Sequence, residues 1–191
     1  MRKLVLNSMI AFLAIGMLSF TGIRNEVKTI KTDKSKITWK GYKMTGSHYG
    51  SVNIQSGKLI FENDALTGGE FVADLTSITS EDLQGEYKGK LEGHLKSDDF
   101  FGVEKFPTAQ LVFTKVKSVG KNSYEVTGDL TVKGITKSIT FDMAIYGSKA
   151  NATVKIDRSA YNVKYGSASF FDDLKDKVIY DEFDLVVDLE F

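Results

Sequence analysis

Apolar and polar residues alternate along most of this chain, and a period of two leaves few choices of fold. In YEVTGDLTV (124–132), Tyr124, Val126, Gly128, Leu130 and Val132 share one face, while Glu125, Thr127, Asp129 and Thr131 share the other. SITFDMAIY (138–146) sets Ile139, Phe141, Met143 and Ile145 together, and FDLVVDLEF (183–191) groups Phe183, Leu185, Val187, Leu189 and Phe191. Successive side chains of a strand point to opposite faces, so each segment reads as a half-buried antiparallel strand, wet outside and apolar inside. Less regular segments of the same kind cover 27–32, 35–44, 50–55, 57–62, 68–78, 108–119 and 151–157. Turn-forming SG, TGG, GKN, KG and GSK fall between them at roughly ten-residue spacing, the pattern of an all-β barrel or sandwich.

One segment departs from this pattern. SEDLQGEYKGKLEGHLKS (80–97) repeats Leu83, Tyr87, Leu91 and Leu95 every four residues, which is helical spacing, with Ser80 and its neighbouring acids as a candidate cap. Gly85, Gly89 and Gly93 each weaken such a helix by about 1 kcal/mol relative to Ala. The expectation is one short helix near 83–97, packed at an end of the barrel. A second irregular stretch, SAYNVKYGSASFFDDLKDKV (159–178), precedes the last strand.

The first 22 residues, MRKLVLNSMIAFLAIGMLSFTG, are of another kind. Arg2 and Lys3 precede a mostly apolar run from Leu4 to Phe20, with small residues Ser19 and Thr21 about its end. This reads as a secretory signal peptide (1–22), cleaved to leave a periplasmic or secreted domain of residues 23–191; the alternative is a retained N-terminal anchor. Cleavage removes two positive charges and leaves 23 basic against 25 acidic residues, a balance that gives no support to nucleic-acid binding. With no cysteine in the chain, there is neither a lipoprotein attachment point nor a disulfide, and stability must come from a packed core.

Catalytic chemistry is hard to assemble from these residues. His48 and His94 stand far apart in sequence with no cysteine to complete a metal site. Asp98-Asp99 and Asp172-Asp173 point to opposite faces within each pair, so neither makes an acid-base dyad locally. Each adjoins a Phe-Phe pair, Phe100-Phe101 and Phe170-Phe171, which reads as loop closure with rings tucked under, or as a pocket rim. No nucleophile elbow, phosphate loop or dinucleotide fingerprint is present. The chain is therefore expected not to be an enzyme. Thirteen Phe, eight Tyr and one Trp in an alternating chain instead imply either a filled core or an apolar cavity.

The stretch GHLKSDDFFGVEKFPTAQLVF (93–113) resembles the signature of the YceI-like family of exported bacterial proteins. Residues 35–83, VTGDLTVKGITKSITFDM (126–143) and KIDRSAYNVKYG (155–166) resemble further parts of it, so the likeness covers roughly residues 27–191. The resemblance implies an eight-stranded antiparallel lipocalin-like barrel around an apolar tunnel. It also implies a non-enzymatic carrier for a polyisoprenoid, an isoprenoid quinone or a long acyl chain, with no other cofactor. The alternative is a packed structural or interaction barrel without a small ligand. On the carrier reading, Trp39, Phe61, Phe71, Leu75, Phe113, Leu130, Phe141, Met143, Ile145 and Phe183 contact the tail. Phe100, Phe101, Arg158, Tyr161, Tyr165 and Phe170 stand at the mouth, with His94 as a head-group contact. Arg158 either pairs with a pyrophosphate or makes a salt bridge to a nearby acid. A transient membrane contact and a dimer both stay open.

Overall fold

The computed structural model describes residues 24–191; the expected signal peptide lies outside them. Nine strands and one α-helix follow in the order β1 (Asn25–Thr29), β2 (Lys36–Lys43), β3 (Gly46–Glu62), β4 (Ala65–Ser80), α1 (Gly85–Lys96), β5 (Thr108–Gly120), β6 (Ser123–Val132), β7 (Ile135–Tyr146), β8 (Lys149–Asp157) and β9 (Ile179–Glu190). All pairings are antiparallel, in the order β1-β3-β2-β9-β8-β7-β6-β5-β4, and a β3–β4 ladder closes the circle.

Nine strands make an eight-stranded barrel because β1 and β2 share one position. β1 pairs with the C-terminal part of β3 (Thr29 opposite Lys58), and β2 with its N-terminal part (Ile37 opposite Val52). The chain advances eight residues between those two pairs while β3 advances six, and a short 3-10 turn at Thr32–Lys34 absorbs the difference. β3 itself runs unbroken through Ser56-Gly57, where the sequence suggests a turn; the ladder only shifts register there, between Ile54 and Ser56. A shift of this kind bends a strand without ending it.

The turns have local causes. Asn63 and Asp64 both adopt positive φ (49° and 65°), as do Lys133 and Gly134 (53° and 73°). Two successive positive φ values define the type I′ turn, whose twist matches a right-handed hairpin, and Asn, Asp and Gly tolerate that region best. These turns join β3 to β4 and β6 to β7. The β3–β4, β5–β6 and β7–β8 hairpins mark one end of the barrel. The other, cap end carries the β2–β3 and β6–β7 turns, α1 and the long β8–β9 connection.

Helix α1 is shorter than the leucine spacing suggests. Leu91 and Leu95 face the barrel, but Tyr87 is exposed and Leu83 precedes the helix. Gln84, not Ser80, is the N-cap, and it makes no side-chain capping bond. Ser80 is fully buried and donates to Asp82 instead. What holds the helix is Glu92, which accepts from the Thr79 hydroxyl (2.5 Å) and the Ser80 amide (2.9 Å).

Close to that anchor, Trp39 on β2 donates its indole N–H to the Thr79 carbonyl (3.2 Å), reaching across β3 above Gly50. A Cβ at Gly50 would lie 1.8 Å from the Thr79 oxygen and 2.8 Å from the Trp39 ring. The backbone cannot yield there without breaking the ladder that closes the barrel. Gly50→Ala is accordingly expected to cost about 3 kcal/mol or more, read as a drop in the urea midpoint at unchanged slope.

Candidate functional site

The inward residues of this barrel do not fill it. They leave an apolar cavity of about 200 Å³, against the roughly 10–15 Å³ that a single water needs. Small side chains keep it open: Gly41, Ala73, Ala109 and Ala152 belong to its wall. The hairpin end, by contrast, is packed solid. Phe61 packs against Phe191 there with tilted rings whose centres are 5.8 Å apart, beside Leu59, Leu66 and Tyr124. The lining runs from Met143 and Leu189 in the interior to Tyr180, which is 49% exposed, so the cavity reaches the surface at the cap end.

Most of the proposed tail contacts line this space: Trp39, Phe71, Leu75, Phe113, Leu130, Phe141, Met143 and Phe183, together with Phe100 and Phe101 from the cap. Phe61 and Ile145 do not; both lie toward the filled end of the barrel, packed in the core. Alternation reports the face of a residue but not its depth. Several wall residues are absent from the expected tail contacts, notably Ile37, Ile54, Val154, Ile156 and Leu185. The signal was present in β8, whose Ala150, Ala152, Val154 and Ile156 are all buried between exposed neighbours.

The cap is organised by Arg158. This guanidinium is only 2% exposed. Its Nε donates to the Tyr180 carbonyl (3.1 Å), Nη1 to those of Val163 (3.1 Å) and Tyr165 (2.8 Å), and Nη2 to that of Ile179 (2.9 Å). Nη2 also lies 3.3 Å from Asp181 Oδ1. Arginine offers five N–H groups in a fixed fork, and here four of them hold backbone while Asp181 balances the charge. The geometry is the salt bridge rather than a free phosphate clamp. Burial pushes the guanidinium pKa below its ordinary value, and Asp181 and Asp157 oppose that shift. The face of Phe100 packs 5.4 Å from the guanidinium carbon. Lys133, on the β6–β7 turn, donates to the carbonyls of Asp98 and Phe100 (both 2.8 Å) and ties the same loop down.

The other mouth residues divide. Tyr161 is buried with its hydroxyl unpaired and belongs to the core rather than to the cavity wall. Tyr165 is half exposed over a shallow cleft that also includes Asp98, Asp99, Lys133 and Lys177. Phe170 and Phe171 are 41% and 48% exposed, so this second pair is not tucked under as the first is. The ring of His94 sits 4.1 Å from that of Tyr165 and 5.5 Å from that of Phe100, with Nε2 buried and unpaired. His48 instead bonds Asp82 at 2.7 Å. Among the described residues no cluster of three His, Cys, Asp or Glu forms that could hold a metal.

A closed antiparallel barrel with an apolar interior and a helical cap defines a lipocalin-like protein. The YceI-like domain model matches residues 29–191, and the chain belongs to that family. Among solved structures, Burkholderia cenocepacia BcnA aligns with a TM-score of 0.66 at 22% identity, over 84% of this chain and 98% of that one. A polyisoprenoid-binding domain from Saccharophagus degradans aligns with a TM-score of 0.56 at 14% identity, over 85% and 97%. At these identities the likeness is one of fold. A UPF0312 protein of Pseudomonas putida (strain GB-1) is 37% identical over 81 residues, which are 37% of this chain and 42% of that relative. The matched stretch thus spans less than half of the curated relative's length.

Two outcomes follow from the cap. Replacing Arg158 by Met strands Asp181 and four carbonyls, and a loss of about 3–5 kcal/mol is expected in urea unfolding. Arg158→Lys, whose three donors sit on one atom, should recover only a minor part. For His94, burial holds the pKa below its ordinary value, with Arg158 acting in the same sense and Asp99 against it. The unfolded chain takes up that proton near pH 6.5 and the folded chain only at lower pH. Stability should therefore fall as the pH drops below about 6.5. His94→Phe should remove that part of the slope when midpoints at about pH 7.5 and about pH 5.5 are compared.

Proposed function

We propose that this protein is a non-enzymatic binder of an apolar chain lipid of the isoprenoid class, held in the barrel interior. The observation that carries this reading is the open cavity, walled by aromatic and aliphatic side chains in a barrel that could have been packed solid. Membership of a family with a polyisoprenoid-binding domain among its structural neighbours supports it. Among the described residues Arg158 is the one charged side chain in the cavity lining, and its N–H groups are committed to backbone and to Asp181. That leaves little there to drive acid-base or nucleophilic chemistry, which favours binding over catalysis.

The energetics suit such a ligand. Burying about ten methylenes from water contributes roughly 8 kcal/mol, which corresponds to micromolar binding before ordering costs. A chain drawn from a bilayer gains almost nothing from this term, because both environments are apolar. Selectivity then rests on the width of the cavity and on contacts at its mouth. Residues 1–22, read as an export signal, put the carrier in the periplasm or outside the cell; cell fractionation and N-terminal sequencing of the recovered protein test that placement.

Mass spectrometry of an organic extract, from protein purified without detergent, tests the ligand. A stoichiometric isoprenoid lipid or quinone is expected. Ala109→Phe, which places a ring in the cavity wall near the cap, should lower the recovered lipid at least about tenfold. Its unfolding midpoint should reflect a cost of about 1–3 kcal/mol. Full lipid loading in the folded variant would put the lipid outside this cavity, and no lipid bound by the unmodified protein even when it is added would favour the packed structural barrel.

A further inference from the structure

The cap end carries a patch of side chains that a protein bathed only in water has no reason to expose. Met44 (58% exposed), Tyr180 (49%), Tyr165 (49%), Phe171 (48%) and Phe170 (41%) belong to neighbouring parts of that end. The Tyr180 hydroxyl lies 3.8 Å from the Met44 sulfur. Arg158 grips the carbonyls of both Tyr165 and Tyr180. The amides of Phe170 and Phe171 both donate to the Ser167 carbonyl (3.2 and 3.1 Å), and Ser169 donates to Asp181 (2.6 Å). The two phenylalanines are thus presented by an ordered turn, not by a loose tail. Tyr180 also lines the cavity, so the patch borders its mouth, while Tyr165 and Phe171 line the adjoining cleft with Asp98, Asp99, Lys133, Lys164 and Lys177.

We propose that this patch docks the mouth of the barrel onto a lipid bilayer. The inference rests on the lipid-binding reading for its purpose: each methylene exposed on the way from bilayer to cavity costs about 0.8 kcal/mol, so a long chain needs a mouth in contact with the membrane. Aromatic side chains with one polar tip suit the depth of the head groups. The charges nearby set the kind of bilayer. Lys164, which lies 5.2 Å from the Phe170 ring centre, Lys175 and Lys177 are interleaved with Asp172, Asp173 and Asp176. This balance points to docking by insertion of apolar side chains rather than by attraction to anionic lipid. A neutral surface is therefore sufficient, and added salt should weaken the contact little.

The absence of native cysteine allows a clean test. A single environment-sensitive fluorophore is attached to Phe171→Cys and, as the comparison, to Tyr146→Cys, an exposed position at the opposite end of the barrel. On adding phosphatidylcholine vesicles, the label at 171 should brighten several-fold, shift to the blue and be quenched by brominated acyl chains. The label at 146 should do none of these. Equal responses at both positions, silence at 171, or a response at 171 that follows protein concentration without vesicles would each overturn the proposal, the last in favour of a second copy of the chain. The lipid extract is scored separately. Bound lipid with a silent label refutes docking and leaves binding standing; a responding label on a protein that never holds lipid does the reverse.

Discussion

Closure of the barrel is the constraint on which the other features depend. Every strand edge in a sheet exposes unpaired N–H and C=O groups, and only a closed circle removes them all. Here the β3–β4 ladder makes that closure, and the unusual length of both strands makes the ladder span the wall. Once the circle is shut, one face of every strand must look inward. The alternation of the sequence then becomes an apolar interior. The Trp39 bond across Gly50 to Thr79 sits at this junction, and so does the Glu92 anchor of the helix.

Closure does not decide whether the interior is full. That depends on side-chain size along the axis. Large residues meet at the hairpin end, where Phe61 and Phe191 pack together, while glycine and alanines occupy wall positions around the cavity. The same alternating pattern therefore yields a plug at one end and a cavity that opens at the other. The cap is built on a different principle. Its irregular backbone cannot satisfy itself through a ladder, and Arg158 supplies donors to carbonyls from two segments that are distant in sequence. A buried charge serving backbone in this way is costly to remove, which is why Asp181 accompanies it.

Much of the fold was legible. The strands announce themselves by period, the helix by its spacing, and the family by stretches such as GHLKSDDFFGVEKFPTAQLVF. The misreadings share a cause. Ser56-Gly57 has turn composition, yet long-range pairing on both sides carries the strand through it. Ser80 looks like a helix cap, but its burial against the barrel gives its hydroxyl to Asp82. Phe170-Phe171 matches Phe100-Phe101 in composition, yet of the two pairs only Phe100-Phe101 meets the cavity. In each case a local preference was outweighed by a contact from elsewhere in the chain.

The sequence by itself determined the all-β architecture, the inward face of each strand and the family, because these follow from side-chain alternation and from linear motifs. Tertiary structure alone decided that β1 and β2 share one barrel position, that Phe61 and Ile145 lie beyond the cavity, and that Arg158 is bound to the protein's own carbonyls. These depend on strand stagger and on which segments meet at the cap. Stagger is set by pairing between residues far apart in the chain, and no period along the chain encodes it.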